Sequence, residues 1–217
     1  MKFLIGLVSI ILAAFAPQTP PITIAQNPGS QQAATPTGSA AYPEMMKDLT
    51  RPGDNHKLLG SLAGKWNFKG RHFSDDPKEK PFEFKGIVER KSLWEGRYFV
   101  SETTGKGKLQ MPWSDGRAIP YQDMSIEGYD NVKKKFVRAT IDNHYDTGIL
   151  MFEGDHDSAN KTITYDAEIE SAPGQKIKTR ILLKILDRDH YIEEFYENRG
   201  KQEVKVAELS YTRSKAT

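Results

Sequence analysis

The chain has 217 residues, with 31 Lys and Arg against 29 Asp and Glu, a formal net charge of +2 at pH 7 and no cysteine. The lack of cysteine excludes disulfides, thiolate metal sites, cysteine nucleophiles and a lipid-modified N-terminal cysteine. The charges are well mixed, and the dense basic run at 133–135 lies inside a predicted turn, so the sequence predicts no nucleic-acid partner.

The N-terminal residues have the pattern of a secretory signal peptide. Met1 and Lys2 precede an uncharged apolar run, Phe3–Ala16, which is shorter than the roughly 20 residues that span a bilayer. We expect a signal peptide over residues 1–25, cleaved after Ala25, because Pro17 would hinder cleavage after Ala16. The mature protein is then secreted or periplasmic and has no membrane span. The alternatives are an uncleaved anchor or a buried helix.

The next segment, residues 26–43, is rich in Gly, Ser, Gln, Ala, Thr and Pro and offers little to bury, which predicts a flexible linker. A folded domain is expected over residues 44–217. It begins with two short helices, the first with Pro43 in its first turn and the second capped by Asp54 or Asn55 and ended by Gly64. Three leucines of the second helix form one apolar stripe.

From Trp66 onward, apolar and polar residues alternate with the period of β-strands. Ten strands are predicted: 65–73, 82–91, 98–106, 123–129, 136–143, 148–155, 162–170, 177–186, 190–197 and 203–212. Turn signals separate them, and no intervening helical segment is long enough for a parallel crossover. Ten hairpin-connected strands must split into two sheets or close, and closure removes exposed edges. We therefore predict an all-β, antiparallel, up-and-down ten-stranded barrel, with the short helices plugging one end beneath Trp66.

Four ordered segments resemble a known family. They are His56–Trp66, Ser125–Val137, Thr147–Thr164 and Ala207–Arg213, which together with the Gly-x-Trp at Gly64–Trp66 are similar to the domain-of-unknown-function 1579 family. The likeness extends from about Tyr42 to Arg213. It implies a lipocalin-like, calycin-type barrel in a secreted or cytosolic bacterial protein, and it brings no accepted catalytic residue.

Charged residues stand in strand register with aromatic ones. Arg90 shares a face with Phe84, Arg138 with Phe136, and Glu193 with Phe195. If these faces point inward, the charges must pair or line a cavity, because an isolated buried charge costs several kcal/mol. The alternative is that they face water and the opposite faces pack inward.

The cavity interpretation predicts a set of ligand-binding residues: Trp66, Phe84, Arg90, Tyr98, Phe136, Arg138, His144, Glu193 and Phe195. Two inward arginines would favour an acidic group on a small, partly apolar ligand. His144 is flanked by carboxylates near a strand end, as a metal or haem ligand would be, although an exposed loop histidine has the same pattern. Asp155–Asn160 has oxygen atoms at alternate positions but lacks the Gly and Glu of a calcium loop, which favours a capped hairpin turn.

No catalytic residue, metal site or cofactor is predicted. A secreted ligand-binding barrel is the leading function. A solidly packed barrel that acts as a protein-interaction module and a cavity enzyme or haem-binding protein remain as alternatives, and the oligomeric state is open.

Overall fold

A computed structural model describes residues 41–74, 76, 78–106, 109–110, 117–143 and 148–215. The predicted signal peptide, most of the predicted linker and His144 lie outside the described residues. Ser39–Thr217 forms one compact unit.

In the described residues, two helices precede the sheet, α1 at Ala41–Thr50 and α2 at Asp54–Ser61. The N-cap of α2 is Gly53 rather than the expected Asp54 or Asn55. Its N–H donates to Nδ1 of His56 at 3.1 Å, so the ring of a residue in the first turn supplies the cap acceptor. No helix in the described part of the chain has the length and apolar character needed to cross a membrane.

Twelve strands follow in the part of the chain that the structure describes. They are β1 Gly64–His72, β2 Phe82–Leu93, β3 Tyr98–Lys106, β4 Leu109–Gln110, β5 Ala118–Ile119, β6 Gln122–Asp130, β7 Lys135–Asp142, β8 Leu150–Asp157, β9 Thr162–Ala172, β10 Gln175–Ile185, β11 His190–Arg199 and β12 Gln202–Arg213. A 3₁₀ turn at Trp94–Gly96 separates β2 from β3.

Ten of these strands form a closed antiparallel barrel in chain order, with β12 returning to pair with β1. The predicted up-and-down ten-stranded barrel is confirmed. The short strands β4 and β5 pair only with each other, between β3 and β6. The alternating pattern does not predict them, because two residues are too few to show a period.

Helix α2 covers one end of the barrel, which we call the plugged end. Leu59 and Leu62 belong to the same buried cluster as Trp66, and Nε1 of Trp66 donates to the Leu62 carbonyl at 2.9 Å. The leucines at and just after the end of α2 therefore fill the end of the barrel beneath the indole, as expected.

Candidate functional site

Four charged side chains meet inside the barrel, one from each of β2, β6, β7 and β11. Arg90, Glu127, Arg138 and Glu193 are 4%, 1%, 7% and 4% exposed. Arg138 Nη1 lies 2.8 Å from Glu193 Oε1 and 3.7 Å from Glu127 Oε1. Arg90 pairs with the other oxygen of Glu127. Two arginines and two glutamates thus neutralise one another, as buried charges must.

Tyrosines complete this buried cluster. The Tyr211 hydroxyl donates to Glu193 Oε2 at 2.9 Å, and the Tyr165 hydroxyl donates to Glu127 Oε1 at 3.3 Å. Burial, together with the neighbouring glutamates, raises the pKa of both tyrosines well above the usual value. Both therefore remain neutral donors at physiological pH.

The charge of Arg138 is equally fixed. Burial alone would lower its pKa, but the carboxylates of Glu193 and Glu127 raise the pKa well above its ordinary value. Since both interior arginines are engaged with glutamates, neither presents an uncompensated positive charge. The sequence argument for an acidic ligand group depended on such a charge.

A second polar group lies farther from α2. Thr103 donates to Asp123 Oδ1 at 3.0 Å, and the hydroxyl of Tyr121 donates to Asp123 Oδ2. Burial raises the pKa of Asp123, while the hydrogen bond from Tyr121 and the charge of Arg138 partly offset that rise. The Asp123 carboxyl therefore extends the polar interior from the buried cluster toward the end of the barrel opposite α2.

Solvent exposure differs between the two halves of the interior. Near α2, inward side chains such as Trp66, Phe136 and Leu183 are at most 1% exposed. Several inward side chains toward the opposite end remain partly exposed; they are Phe84, Thr140, Leu150, Ala167, Thr179, Phe195, Glu197 and Ala207. We call the region between these side chains the far half of the lumen. Its side chains are partly accessible to solvent, whereas those near α2 are fully buried.

The far half combines an apolar wall with a few polar atoms. Phe84, Leu150 and Phe195 pack against the buried core from this side. Thr179 Oγ1 is buried and has no hydrogen-bond partner among the described residues. Burial raises the pKa of Glu197, whose carboxylate lies 3.2 Å from Arg199. Such a mixture of apolar surface and converging polar groups is typical of small-molecule sites.

The structure brings most of the predicted site residues together. Five of them lie inside the barrel but are buried and do not line the far half: Arg90, Phe136, Arg138, Glu193 and Trp66. Phe84 and Phe195 line the far half.

Tyr98 does not belong to this site. It lies on the outer face of β3 and packs edge-to-face against Trp94 at 5.6 Å. The reason is the register of β3, which turns Phe99, Ser101 and Thr103 inward. The expectation that Tyr98 lies in the barrel interior was therefore wrong.

Sequence reasoning missed Asp123 and Glu127. Both alternate with Ser125 along β6, and this alternation is the signal that places them on one face. The predicted hairpin turn at Asp155–Asn160 is present, because Asp157 Oδ1 accepts the N–H groups of Ala159 and Asn160. Among the described residues, no group of three or more His, Asp or Glu could hold a metal ion.

A groove of about 450 Å³ on β9 to β12 shares Ala167 and Thr179 with the far half of the lumen and is otherwise lined by outward residues. Its charged residues already satisfy one another, since Arg180 Nε lies 2.9 Å from Asp166 and Arg180 Nη1 lies 3.1 Å from Glu203. The far half of the lumen is the better candidate because it also has an apolar wall, formed by Phe84, Leu150 and Phe195.

A family model described as "Protein of unknown function (DUF1579)" matches residues 51–213. No curated protein matches the sequence. Among solved structures, a redesigned β-barrel is similar at 13% identity, with a TM-score of 0.34, over 73% of this chain and 96% of that one.

Proposed function

The chain belongs to the DUF1579 family of proteins of unknown function, and from that premise we propose a function on the geometry of its barrel. The protein binds a small, partly apolar molecule in the far half of the lumen. The observation that carries this proposal is the residual exposure of inward side chains there, next to a fully buried opposite half. A barrel filled only for packing would bury both halves alike.

The charges of the interior favour a neutral or cationic ligand over an acidic one. The four charges of the buried cluster sum to zero; they belong to Arg90, Glu127, Arg138 and Glu193. Beyond them, Asp123 is a further acid facing the interior, whereas Glu197 near the far end is paired with Arg199. An anionic ligand would therefore meet the Asp123 carboxyl, while a hydrogen-bond donor or an amine would be accepted.

We further propose that the protein works outside the cytoplasm, after removal of residues 1–25. Support comes from the basic start and the short uncharged apolar run of the N-terminus. The N-terminal sequence of protein recovered from its native host tests this directly: a start at Gln26 supports export, and an intact Met1 contradicts it.

Binding can be tested with two fluorophores of similar size and different charge. Prodan is neutral and anilinonaphthalene sulfonate is anionic. We expect prodan to saturate at one molecule per barrel with a blue-shifted emission, and to bind at least tenfold more tightly than the sulfonate at pH 7. Equal affinities would contradict the proposed charge preference.

A matched pair of variants locates the probe. Ala167 faces inward in the far half and its neighbour Glu168 faces outward. Ala167→Phe fills the lumen and should weaken prodan binding at least tenfold, while Glu168→Phe adds the same ring outside and should leave it unchanged. Circular dichroism confirms that both variants are folded. If Ala167→Phe binds prodan like the parent protein, the ligand site is elsewhere.

A further inference from the structure

The outside of the barrel has two chemically different sides. On β9 to β12 and β1, outward charges are paired across strands. Arg180 lies 2.9 Å from Asp166, Lys184 lies 2.6 Å from Glu194, and Arg71 lies 2.6 Å from Glu208. Such a surface is fully compatible with water. The outward side chains of β3, β6, β7 and β8 are different.

These four strands and the residue before β8 carry a continuous set of outward apolar residues, which we call the apolar face: Val100, Met124, Ile126, Ala139, Ile141, Ile149 and Met151. Five of them remain 39–67% exposed: Met124, Ile126, Ile141, Ile149 and Met151. Together these five residues leave about 500 Å² accessible to water, an area in the range where the largest patch on a monomer is often functional.

Strand register makes this face contiguous. Val100 stands opposite Ile126, Ile126 opposite Ala139, and Ala139 opposite Met151, in one row across four strands. Met124 stands opposite Ile141 in the next row. None of the seven residues carries a charge. Exposed apolar residues scattered singly need no explanation, but a two-row block does.

We propose that the apolar face is a two-fold contact between two copies of this chain. A two-fold axis that lies in the interface, between β6 and β7 and along them, places Ile126 of each copy over Ala139 of the other. The same operation brings Met124 against Ile141 and Val100 against Met151. The large side chain of Ile126 thus lies beside the small side chain of Ala139 on the same face. Two copies related by the axis can fit together in this way, as a symmetric interface requires.

The area and the lack of charge of the apolar face are consistent with a second copy of the chain as its partner. A standard interface buries roughly 800 Å² on each partner, of which roughly 65% is apolar in homodimers, or about 500 Å². The apolar face supplies that amount. Because the face has no charge, the two-fold operation brings no like charges together at its centre. The flanking carboxylates Glu102 and Glu153 have lysine neighbours in their own chain, Lys91 and Lys133.

A lipid surface is the chief alternative occupant. Peripheral binding to anionic lipids requires lysines and arginines around the apolar patch. Here the acids Glu102 and Glu153 border the face, and the nearby lysines are paired with them. The charge pattern therefore favours a second copy of the chain.

Two oppositely charged variants test the symmetry. Protein expressed from the full sequence and purified as its host processes it is measured by sedimentation equilibrium at about ten micromolar. We expect a two-chain mass for the parent protein and a one-chain mass for both Ile126→Lys and Ala139→Glu. Mixing the two variants should restore the two-chain mass, because the introduced lysine of one copy then faces the introduced glutamate of the other.

Controls separate this result from misfolding and from lipid binding. Ser210→Lys puts a charge on the outer face of β12 and should leave the dimer intact, and circular dichroism checks that each variant is folded. A one-chain mass for the parent protein overturns the proposal, whether or not it floats with vesicles of phosphatidylcholine and 30% phosphatidylglycerol. So does a dimer that survives Ile126→Lys, or a mixture of the two variants that remains monomeric.

Discussion

The guanidinium of Arg213 lies 4.0 Å from the centre of the Trp66 ring. These residues are register partners on β12 and β1, the strands whose pairing closes the barrel. Arg213 Nη1 also donates to the Ala63 carbonyl at 2.8 Å, and Nη2 donates to the Ser61 carbonyl at 2.9 Å. Arg213 therefore links the β1–β12 pair, which closes the barrel, to the C-terminal end of α2. The last carbonyl groups of a helix lack helical hydrogen-bond partners.

Replacing Arg213 by lysine should destabilise the fold, although the charge is kept. Lysine cannot stack a planar group on the indole or hold both carbonyls with a rigid fork. We expect a loss of about 2 kcal/mol in the free energy of unfolding in urea. Arg71→Lys, in an exposed pair with Glu208, is the matched control and should cost under about 0.5 kcal/mol. Equal losses in the two variants would contradict the role given to Arg213.

The buried cluster should respond differently to single and paired replacement. Arg138→Met leaves Glu127 and Glu193 without their shared cation, and we expect it to cost about 3–5 kcal/mol. Glu127 keeps Arg90 as a partner, so Glu193 is the carboxylate left without a cation; adding Glu193→Gln removes that charge and should recover a large part of the loss. Denaturant unfolding of both variants measures the difference. A double variant less stable than the single one would show that the charges are not coupled.

Stability at low pH should depend on Glu194. Burial alone would raise the pKa of Glu194, but hydrogen bonds from Lys184, Lys205 and Tyr196 lower it from 4.5 to about 2. The ionised form is therefore favoured by folding, and its contribution is present above pH 4.5 and lost as the pH falls toward 2. We expect this loss to be about 2–3 kcal/mol.

Glu194→Gln should make unfolding less dependent on pH between 4.5 and 2, as followed by urea denaturation at several pH values. The exposed Glu168→Gln is the comparison: Lys176 lowers the pKa of Glu168 too, but at the surface the pair is screened by solvent, so this variant should change the profile much less. An unchanged profile in Glu194→Gln would assign the acid sensitivity to other carboxyls.

Close backbone approach makes Gly86 sensitive to substitution. A methyl group at this position would lie 2.2 Å from the carbonyl oxygen of Thr104 on the neighbouring strand β3. We expect Gly86→Ala to cost about 2–4 kcal/mol because the backbone must move. At Gly148 an added methyl meets nothing within 4 Å, so Gly148→Ala should be close to neutral. Thermal unfolding compares the two, and similar melting temperatures would contradict the packing described for β2 and β3.

The sequence allowed the barrel to be predicted because most of its strands alternate cleanly and end at strong turn signals. The inner face of β3 was assigned wrongly because both of its faces carry apolar residues: Tyr98 and Val100 lie outside, and Phe99 lies inside. Periodicity cannot decide between two such faces, and only pairing with β2 and β6 does. Arg213 was missed because its role depends on contacts with residues about 150 positions away.

The interior was only partly predictable for a similar reason. Register placed Arg90, Arg138 and Glu193 together, but it could not show that these charges neutralise one another. That depends on Glu127, which joins both arginines. Arginines paired in this way give no preference for an acidic ligand, and the count of arginines on a face says nothing about their partners.

The central claim is that the far half of the lumen holds a small molecule. Native mass spectrometry of protein purified from its own host, compared with the same sample unfolded, tests it most directly. We expect an extra mass that disappears on unfolding and is absent from the Ala167→Phe variant. A bare chain mass under native conditions, or an extra mass retained equally by Ala167→Phe, would contradict the claim.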